Sequence, residues 1–152
     1  MKKIFLVFSF LLACSAIHAQ QYKMGLGVRF SNDDAIINNS ISFRYFVSKD
    51  IAIESLLSLG KPMAIGLLAE KFKPVISDRI QYFYGAGAYA AFGKTKDQET
   101  RYAGLQGVLG LDYAFLLLPL NLSIDWKPEL NLGGGLSFEP AAIGLTARFT
   151  LR

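Results

Sequence analysis

Alternation of apolar and polar residues, sustained from residue 22 almost to the end of the chain, most limits what this sequence can fold into. At its start Leu26 and Val28 alternate with Gly27 and Arg29. A period of two residues is that of a β-strand, whose side chains point to opposite faces in turn. The pattern predicts an all-β chain of eight strands, in residues 22–30, 40–47, 51–59, 64–73, 80–92, 102–115, 120–127 and 143–151.

The connections between these segments alternate in length. Residues 48–50, 74–79 and 116–119 form tight turns, whereas residues 31–39, 93–101 and 132–140 are longer and more polar or glycine-rich; residues 60–62 are short where a long loop is expected. Strands of roughly 9 to 13 residues suit a tilted membrane strand. Together these features predict an antiparallel up-and-down transmembrane β-barrel.

The two faces of the alternation differ in size as well as polarity. One face is large and aromatic, with tyrosines and Trp126 near strand ends, where an interfacial girdle is expected; the other is small, with single charges. Eight strands enclose a lumen that side chains just fill, so the small face is predicted to point inward and the bulky face towards lipid. The alternative is a soluble or lipid-anchored periplasmic barrel that binds a small apolar ligand, which requires an apolar lumen.

The first nineteen residues have the organisation of a cleavable signal peptide. Lys2 and Lys3 precede an apolar stretch at residues 4–13, and Ala19 offers a small residue for cleavage. We therefore divide the 152 residues into a signal peptide, 1–19, and one barrel domain, 20–152. A second interpretation is a lipobox at residues 11–14, in which Cys14 is lipidated; both interpretations predict export. No later apolar stretch has the roughly 18 residues of a membrane helix.

Cleavage would remove the only histidine, His18, and the only cysteine, Cys14. The mature chain then lacks the groups needed for Ser-His-Asp or Cys-His catalysis and for His- or thiolate-ligated metals. We expect no enzymatic activity, no cofactor and no metal, although unusual serine or carboxylate chemistry on lipids stays open as an alternative. Without Lys2 and Lys3 the net charge falls from +4 to +2, which argues against a nucleic-acid partner.

Charged residues on the small face predict a salt-bridged lumen without an open pore. Five are basic and four acidic, close to the balance that enclosed charges require: Lys23, Arg29, Arg44, Lys127 and Arg148, with Glu54, Glu70, Asp112 and Asp125. The tight turn at residues 48–50 should bring Arg44 level with Glu54. A paired-carboxylate site at Asp112 and Asp125 is the catalytic alternative. The triple glycine at residues 133–135 predicts a surface loop.

The order of several short motifs resembles the porin-like small outer-membrane β-barrels of the OmpA/OmpX type. These motifs are GLGVRF at 25–30, ISFRYF at 41–46, YGAGA at 84–88, GLDY at 110–113 and PLNLSIDWKP at 119–128. The resemblance implies a barrel in the Gram-negative outer membrane, generally without an open pore and often without known activity. Such barrels commonly end on an aromatic residue. This chain differs, because its last four residues are Phe149-Thr150-Leu151-Arg152.

The expected partners follow from this placement in the cell envelope. They are outer-membrane lipid, lipopolysaccharide and the export and barrel-assembly machinery, with the protein itself a monomer. Lys94, Lys96 and Arg101, interleaved with Asp97 and Glu99, form a charged loop that could touch lipopolysaccharide.

Overall fold

The computed structural model describes residues 22–32, 36–77, 79–95, 98–133, 136–140 and 142–151. The predicted signal peptide, with Cys14 and His18, lies outside the described residues. The ordered elements are ten β-segments: β1 (Met24–Ser31), β2 (Ser40–Phe46), β3 (Ile51–Ser58), β4 (Met63–Ser77), β5 (Ile80–Thr95), β6 (Gln98–Ala114), β7 (Leu120–Trp126), β8 (Glu129–Asn131), β9 (Ser137–Glu139) and β10 (Ile143–Leu151).

The ten segments make eight strands of a closed antiparallel barrel. β7 and β8 are one strand interrupted at residues 127–128, since both pair with β6, while β9 and β10 follow each other along the last strand. Each strand pairs with its neighbour in sequence, and β10 pairs with β1 to close the ring. The predicted all-β, eight-stranded antiparallel architecture is therefore confirmed. The described residues contain no helix long and apolar enough to cross a membrane.

The hydrogen-bond register shows that the strands are strongly tilted. Stepping from each residue to its register partner on the next strand, beginning at Gly25 on β1, leads once round the barrel to Glu139 at the far end of the last strand. The partners passed on the way are Arg44, Glu54, Leu68, Gly87, Gln106 and Glu129. Gly25 itself lies opposite Thr150, near the other end of that last strand. Such a stagger accompanies tilt in any closed barrel.

Strand lengths vary more than the alternation predicts. β1, β2 and β3 have 7 or 8 residues, whereas β4, β5 and β6 have 15, 16 and 17. The long strands extend beyond their neighbours as two hairpins, so the predicted loop at residues 93–101 is largely strand. Backbone pairing continues along these hairpins after the apolar alternation has ended, which is why sequence periodicity stops short of the true strand ends.

The barrel has two distinct ends. The termini end carries the first and last described residues together with the β2–β3, β4–β5 and β6–β7 connections. The loop end carries the β1–β2, β3–β4, β5–β6 and β8–β9 connections.

Side chains inside the barrel are polar or charged over most of its height, as predicted, but the interior is not uniformly small. It also buries bulky side chains, namely Tyr22, Phe46, Leu56, Leu68, Phe72, Phe83 and Tyr89. Glycines on the same face make room for them: a Cβ on Gly110 would lie 2.6 Å from the ring of Phe83. Large side chains and glycines thus lie next to one another on the inner surface, and this keeps the lumen filled without overpacking.

Two predicted orientations at the start of the chain are wrong. Tyr22 was expected to point outward and Lys23 inward, but Tyr22 is buried and Lys23 is exposed. Both residues precede β1 at the rim of the barrel, although the backbone of Lys23 still bonds to Leu151 and Phe46. The Tyr22 ring instead turns over the termini end into the lumen, where it packs edge-on against Phe46 at a centroid distance of 5.2 Å.

Candidate functional site in the barrel interior

The eight charged residues of the predicted lumenal network are all buried inside the barrel: Arg29, Arg44, Glu54, Glu70, Asp112, Asp125, Lys127 and Arg148. They come from β1, β2, β3, β4, β6, β7, β10 and the short break that follows β7. Each lies at an inward position of the strand alternation, which is why residues distant in sequence share one enclosed volume. A buried, salt-bridged interior is therefore observed.

Arg44 is the centre of a group near the termini end. Its Nη1 donates to Asp112 Oδ1 at 2.7 Å, and its Nε lies 3.0 Å from Glu70 Oε2. Its guanidinium also stands 5.0 Å from the ring centroid of Phe72 and 4.9 Å from that of Phe83. Carboxylates on two strands and the faces of two rings thus neutralise and enclose a cation that has no exposed surface.

Glu54 is the centre of a second group. Its Oε1 accepts hydrogen bonds from Arg148 Nη2 and, at 2.7 Å, from Ser42 Oγ, while its Oε2 lies 3.3 Å from Lys127 Nζ. Arg44 stands directly opposite Glu54 in the β2–β3 register, as predicted, but the closest atoms of this pair are 3.8 Å apart. The main counter-charges of Glu54 therefore come from the far side of the barrel.

Arg148 links these charges to neutral groups on β7. Its Nη1 donates to Ser123 Oγ at 2.7 Å and to Asn121 Oδ1 at 3.2 Å, and its Nε donates to Ser42 Oγ at 2.8 Å. Together with the Glu54 contact these bonds use every nitrogen of the guanidinium. A fully bonded planar donor of this kind is a rigid structural element.

A third group lies closer to the loop end. Arg29 donates to Asp125 Oδ1 through Nη2 at 2.7 Å and through Nε at 3.2 Å, and Lys127 Nζ lies 3.2 Å from the same oxygen. Because Lys127 also contacts Glu54, it joins this group to the one around Arg148. The ion pairs consequently form one continuous chain through the lumen.

Sequence reasoning missed Glu129 and the segment that covers it. The carboxylate of Glu129 accepts hydrogen bonds from the backbone N–H groups of Ile36, at 2.8 Å, and Ile37, at 3.2 Å. The carbonyl of Ile37 in turn accepts from Arg29 Nη1 at 3.3 Å, and the Ile37 side chain is buried. Glu129 has the same odd-numbered phase as Asp125 and Lys127, which is the signal that could have identified it. The inward turn of the β1–β2 connection has no comparable signal.

Aromatic rings close the lumen at the termini end. Tyr22, Phe46, Phe72 and Phe83 stack in series, with centroid distances of 5.2, 4.9 and 5.1 Å between successive rings. Tyr22 hydroxyl also accepts a hydrogen bond from Arg44 Nη1 at 3.4 Å. Burial, and to a smaller extent the Asp112 carboxylate, raises the pKa of Tyr22 to about 12, so the phenol stays neutral.

The two carboxylates of the paired-carboxylate alternative do not bind each other in the structure. Asp112 and Asp125, considered as an acid/base pair, bind different partners: Asp112 binds Arg44 and Asn121, and Asp125 binds Arg29 and Lys127. Across the described parts of the chain, no group of three or more His, Cys, Asp or Glu side chains could hold a metal ion. Two glycines of the triple-glycine segment, at 134 and 135, lie outside the described residues.

Two buried side chains on the same side of the lumen have no hydrogen-bond partner among the described residues. They are Tyr89, through its hydroxyl, and Gln106, through both atoms of its amide. Tyr89 leans over Gly104, and Gln106 reaches across to Gly66 and Ile37. Unpaired buried polar atoms reduce stability.

The outer surface of the barrel is apolar, in contrast to its charged interior. Large side chains at the outward positions are about half exposed on every side of the barrel, for example Leu26, Phe43, Ile65, Leu109, Ile124 and Leu145. Monomeric soluble proteins rarely expose continuous apolar surface on this scale.

Comparison of the chain with protein-family models, with curated proteins and with solved structures finds no match. The fold and its interior define the class: a small, closed, eight-stranded antiparallel β-barrel with a buried network of ion pairs.

Proposed function

We propose that this protein is an integral outer-membrane β-barrel of the OmpA/OmpX type with a structural or surface-interaction role, and not an enzyme. One observation carries the proposal: the polarity of the barrel is inverted, with charges buried and large apolar side chains exposed. In water this arrangement would expose hydrophobic surface without compensation, whereas in lipid the same surface is solvated and the strands satisfy one another's backbone groups in the closed sheet.

The filled interior supports a barrel without an open pore. Arg44, Arg148 and their carboxylate partners are buried in the lumen, and the rings of Phe46, Phe72 and Phe83 pack against one another inside it near the termini end. An eight-stranded barrel has no space beside such side chains for a water-filled channel. We therefore assign the charges to internal neutralisation, and transport is not part of the proposed role.

The proposed setting is the outer membrane of a Gram-negative cell, reached through the signal peptide at residues 1–19. The proposed partners are membrane lipid, lipopolysaccharide and the export and assembly machinery, and the proposed state is a monomer. Of the charged loop expected to meet lipopolysaccharide, Lys96 and Asp97 and the side chains of Lys94 and Glu99 lie outside the described residues. Lipidation at Cys14 remains the alternative mode of anchoring.

The rival function, a soluble or lipid-anchored barrel that binds a small apolar ligand, needs an apolar lumen. The observed lumen holds Arg29, Arg44, Lys127 and Arg148 with their carboxylates. Transfer of an apolar ligand into that space would separate buried ion pairs, which is strongly unfavourable. The geometry therefore favours the membrane barrel.

Fractionation and heat modification test the proposal directly. The protein should sediment with outer membranes, require detergent for extraction, and migrate differently on SDS–polyacrylamide gels before and after boiling. Trp126, the only tryptophan in the chain and half-exposed on the outer face, supplies a second measurement. Its fluorescence should be quenched by lipids brominated on the acyl chains. Release of the protein by osmotic shock in soluble form, without quenching of Trp126, would contradict the proposal.

A further inference from the structure

Exposed basic residues gather at the termini end of the barrel. Lys23 precedes β1 and Lys49 lies in the turn before β3. Lys71 lies on β4 opposite the first residue of β3, Lys73 lies two residues beyond it, and Arg79 lies in the next turn. We call these five residues the basic rim. Among the described residues at this end, Asp50 is the exposed carboxylate that faces them, and it lies 3.8 Å from Lys71 Nζ.

The opposite end has no such excess of positive charge. Among its described residues, Lys61 and Arg101 are exposed and Glu139 is half-buried. The sequence of its connecting segments adds Lys94 and Lys96 but also acidic residues at 33, 34, 97 and 99, whereas the β4–β5 connection at the termini end adds a single acidic residue, at 78. The asymmetry of charge is therefore a property of the whole chain and its topology.

Tyrosines accompany the lysines of the basic rim. Lys23 Nζ stands 5.8 Å from the ring centroid of Tyr45, and Lys73 Nζ stands 6.0 Å from that of Tyr84. Tyr82 stacks on Tyr84 at 6.3 Å, so the aromatic surface is continuous along β5. Outward tyrosines beside lysines are the side chains expected at headgroup depth, where a ring contacts acyl chains and an ammonium group reaches phosphate.

An apolar turn at the same end indicates independently that lipid reaches this depth. Leu116, Leu117 and Leu118 connect β6 to β7 and are exposed, Leu117 by 87% of its surface. Tyr113 and Phe115, which pack edge-on at 4.8 Å, lie immediately beside this turn. Three adjacent leucines in a surface turn are unfavourable in water and favourable at the boundary between headgroups and acyl chains.

We propose that the basic rim binds anionic phospholipid headgroups in the leaflet that surrounds the termini end. This inference rests on the proposed membrane function and adds a partner of defined chemistry to it. The attraction is between ammonium or guanidinium groups and lipid phosphates that lie within a Debye length of them. The tyrosines hold Lys23 and Lys73 at that depth.

Selective quenching tests this inference. In a Trp126→Phe background, Tyr84→Trp places the only tryptophan at the basic rim and keeps an aromatic ring beside Lys73. Quenching is compared in bilayers of brominated phosphatidylglycerol with unlabelled phosphatidylcholine, and in bilayers with the labels exchanged. We expect the relative binding constant to favour phosphatidylglycerol by about 2- to 5-fold. About 0.5 M NaCl should bring the ratio close to 1.

Charge variants supply the controls. The triple variant Lys23→Gln, Lys71→Gln, Lys73→Gln should lose the preference, whereas Lys61→Gln with Arg101→Gln at the loop end should retain it. Equal quenching by both lipids in the parent protein would overturn the inference and leave the membrane function intact. Absence of quenching by either lipid would instead contradict the membrane function itself. A preference that resists both salt and the triple substitution would also overturn the assignment to the basic rim.

Discussion

The carboxylate of Glu54 on β3 bonds to the guanidinium of Arg148 on β10, 94 residues further along the chain. Glu54 also lies opposite Arg44 in the β2–β3 ladder, at the longer distance of 3.8 Å. The partner across the lumen is thus closer than the partner across the ladder.

A double-mutant cycle should reproduce this order. Glu54→Met and Arg148→Met are each expected to lower the free energy of unfolding by about 3–5 kcal/mol, because each leaves an enclosed charge without its partner. The double variant should lose clearly less than the sum. The cycle of Glu54→Met with Arg44→Met should show weaker coupling, since Arg44 keeps Asp112 and Glu70. Urea unfolding in vesicles measures the three single and two double variants; additive losses for Glu54 and Arg148 would refute the pairing.

The energetic cost of an arginine substitution on the outer face should depend on the depth of the residue in the bilayer and not on its exposed fraction. Leu109 is 50% exposed on β6 and Leu117 is 87% exposed in the turn at the termini end. We expect Leu109→Arg to cost about 2–4 kcal/mol of stability in lipid, and Leu117→Arg about 0–1 kcal/mol. Folding into lipid vesicles measures both. In a water-soluble barrel neither arginine would be costly, so two harmless substitutions would show that lipid does not surround β6.

Two glycines on β6 should respond differently to the same small side chain. A Cβ on Gly110 would lie 2.6 Å from the carbonyl oxygen of Ile124 and 2.6 Å from the Phe83 ring, whereas a Cβ on Gly107 would meet only Pro128, at 3.4 Å. The sequence alone favours tolerance at Gly110; the geometry reverses that expectation. Gly110→Ser should lower the temperature of heat modification and cost about 1–3 kcal/mol, and Gly107→Ser should be nearly neutral. Equal effects would contradict the close packing at Gly110.

Two buried tyrosines in the lumen differ in whether their hydroxyl groups are hydrogen-bonded. Tyr89 hydroxyl has no hydrogen-bond partner among the described residues, whereas Tyr22 hydroxyl accepts from Arg44. Tyr89→Phe should therefore raise the free energy of unfolding by about 1 kcal/mol, and Tyr22→Phe should lower it by a similar amount. Equilibrium unfolding of both variants measures the difference. A loss of stability in Tyr89→Phe would mean that its hydroxyl is bonded.

The segment at residues 36–37 should depend on Glu129, which accepts both of its backbone N–H groups. Glu129→Ala is expected to increase hydrogen exchange at Ile36 and Ile37 by about 10-fold, because two charge-assisted bonds are lost. Ser137→Ala, at an exposed position on the adjacent β9, is the control and should leave those rates unchanged. Unchanged protection in Glu129→Ala would show that Ile37 is held by its side-chain packing alone.

Periodicity predicts which face a residue occupies, and it placed Glu54, Glu70, Asp125 and Arg148 correctly inside the barrel. It succeeds because the closed ladder forces successive side chains to opposite sides along each strand. It fails for Tyr22 and Lys23, which precede β1 at the rim of the barrel. Local sequence cannot show that a ring there turns into the lumen.

The partners of each charge could not be predicted from the sequence in the same way. Arg29 and Asp125 belong to β1 and β7, which are not neighbours in the sheet, so their contact depends on the diameter and stagger of the closed barrel. The inward phase of Phe72 and Phe83 is equally visible in the alternation. Their fit, however, depends on glycines of other strands, such as Gly110 opposite Phe83.

The ion pairs of the lumen also set conditions on the order in which the barrel can assemble. Arg29 and Asp125 are 96 residues apart, and Arg44 and Asp112 are 68 apart. A chain of which only β1–β4 had formed would hold Arg29 without Asp125, and Glu54 without Arg148 and Lys127, whereas Arg44 would already have Glu70. The last strands to be synthesised supply Asp125, Lys127 and Arg148, and their arrival also closes the ring between β10 and β1. Neutralisation of Arg29 and Glu54 therefore coincides with closure, so these ion pairs stabilise the finished barrel and not a half-built one.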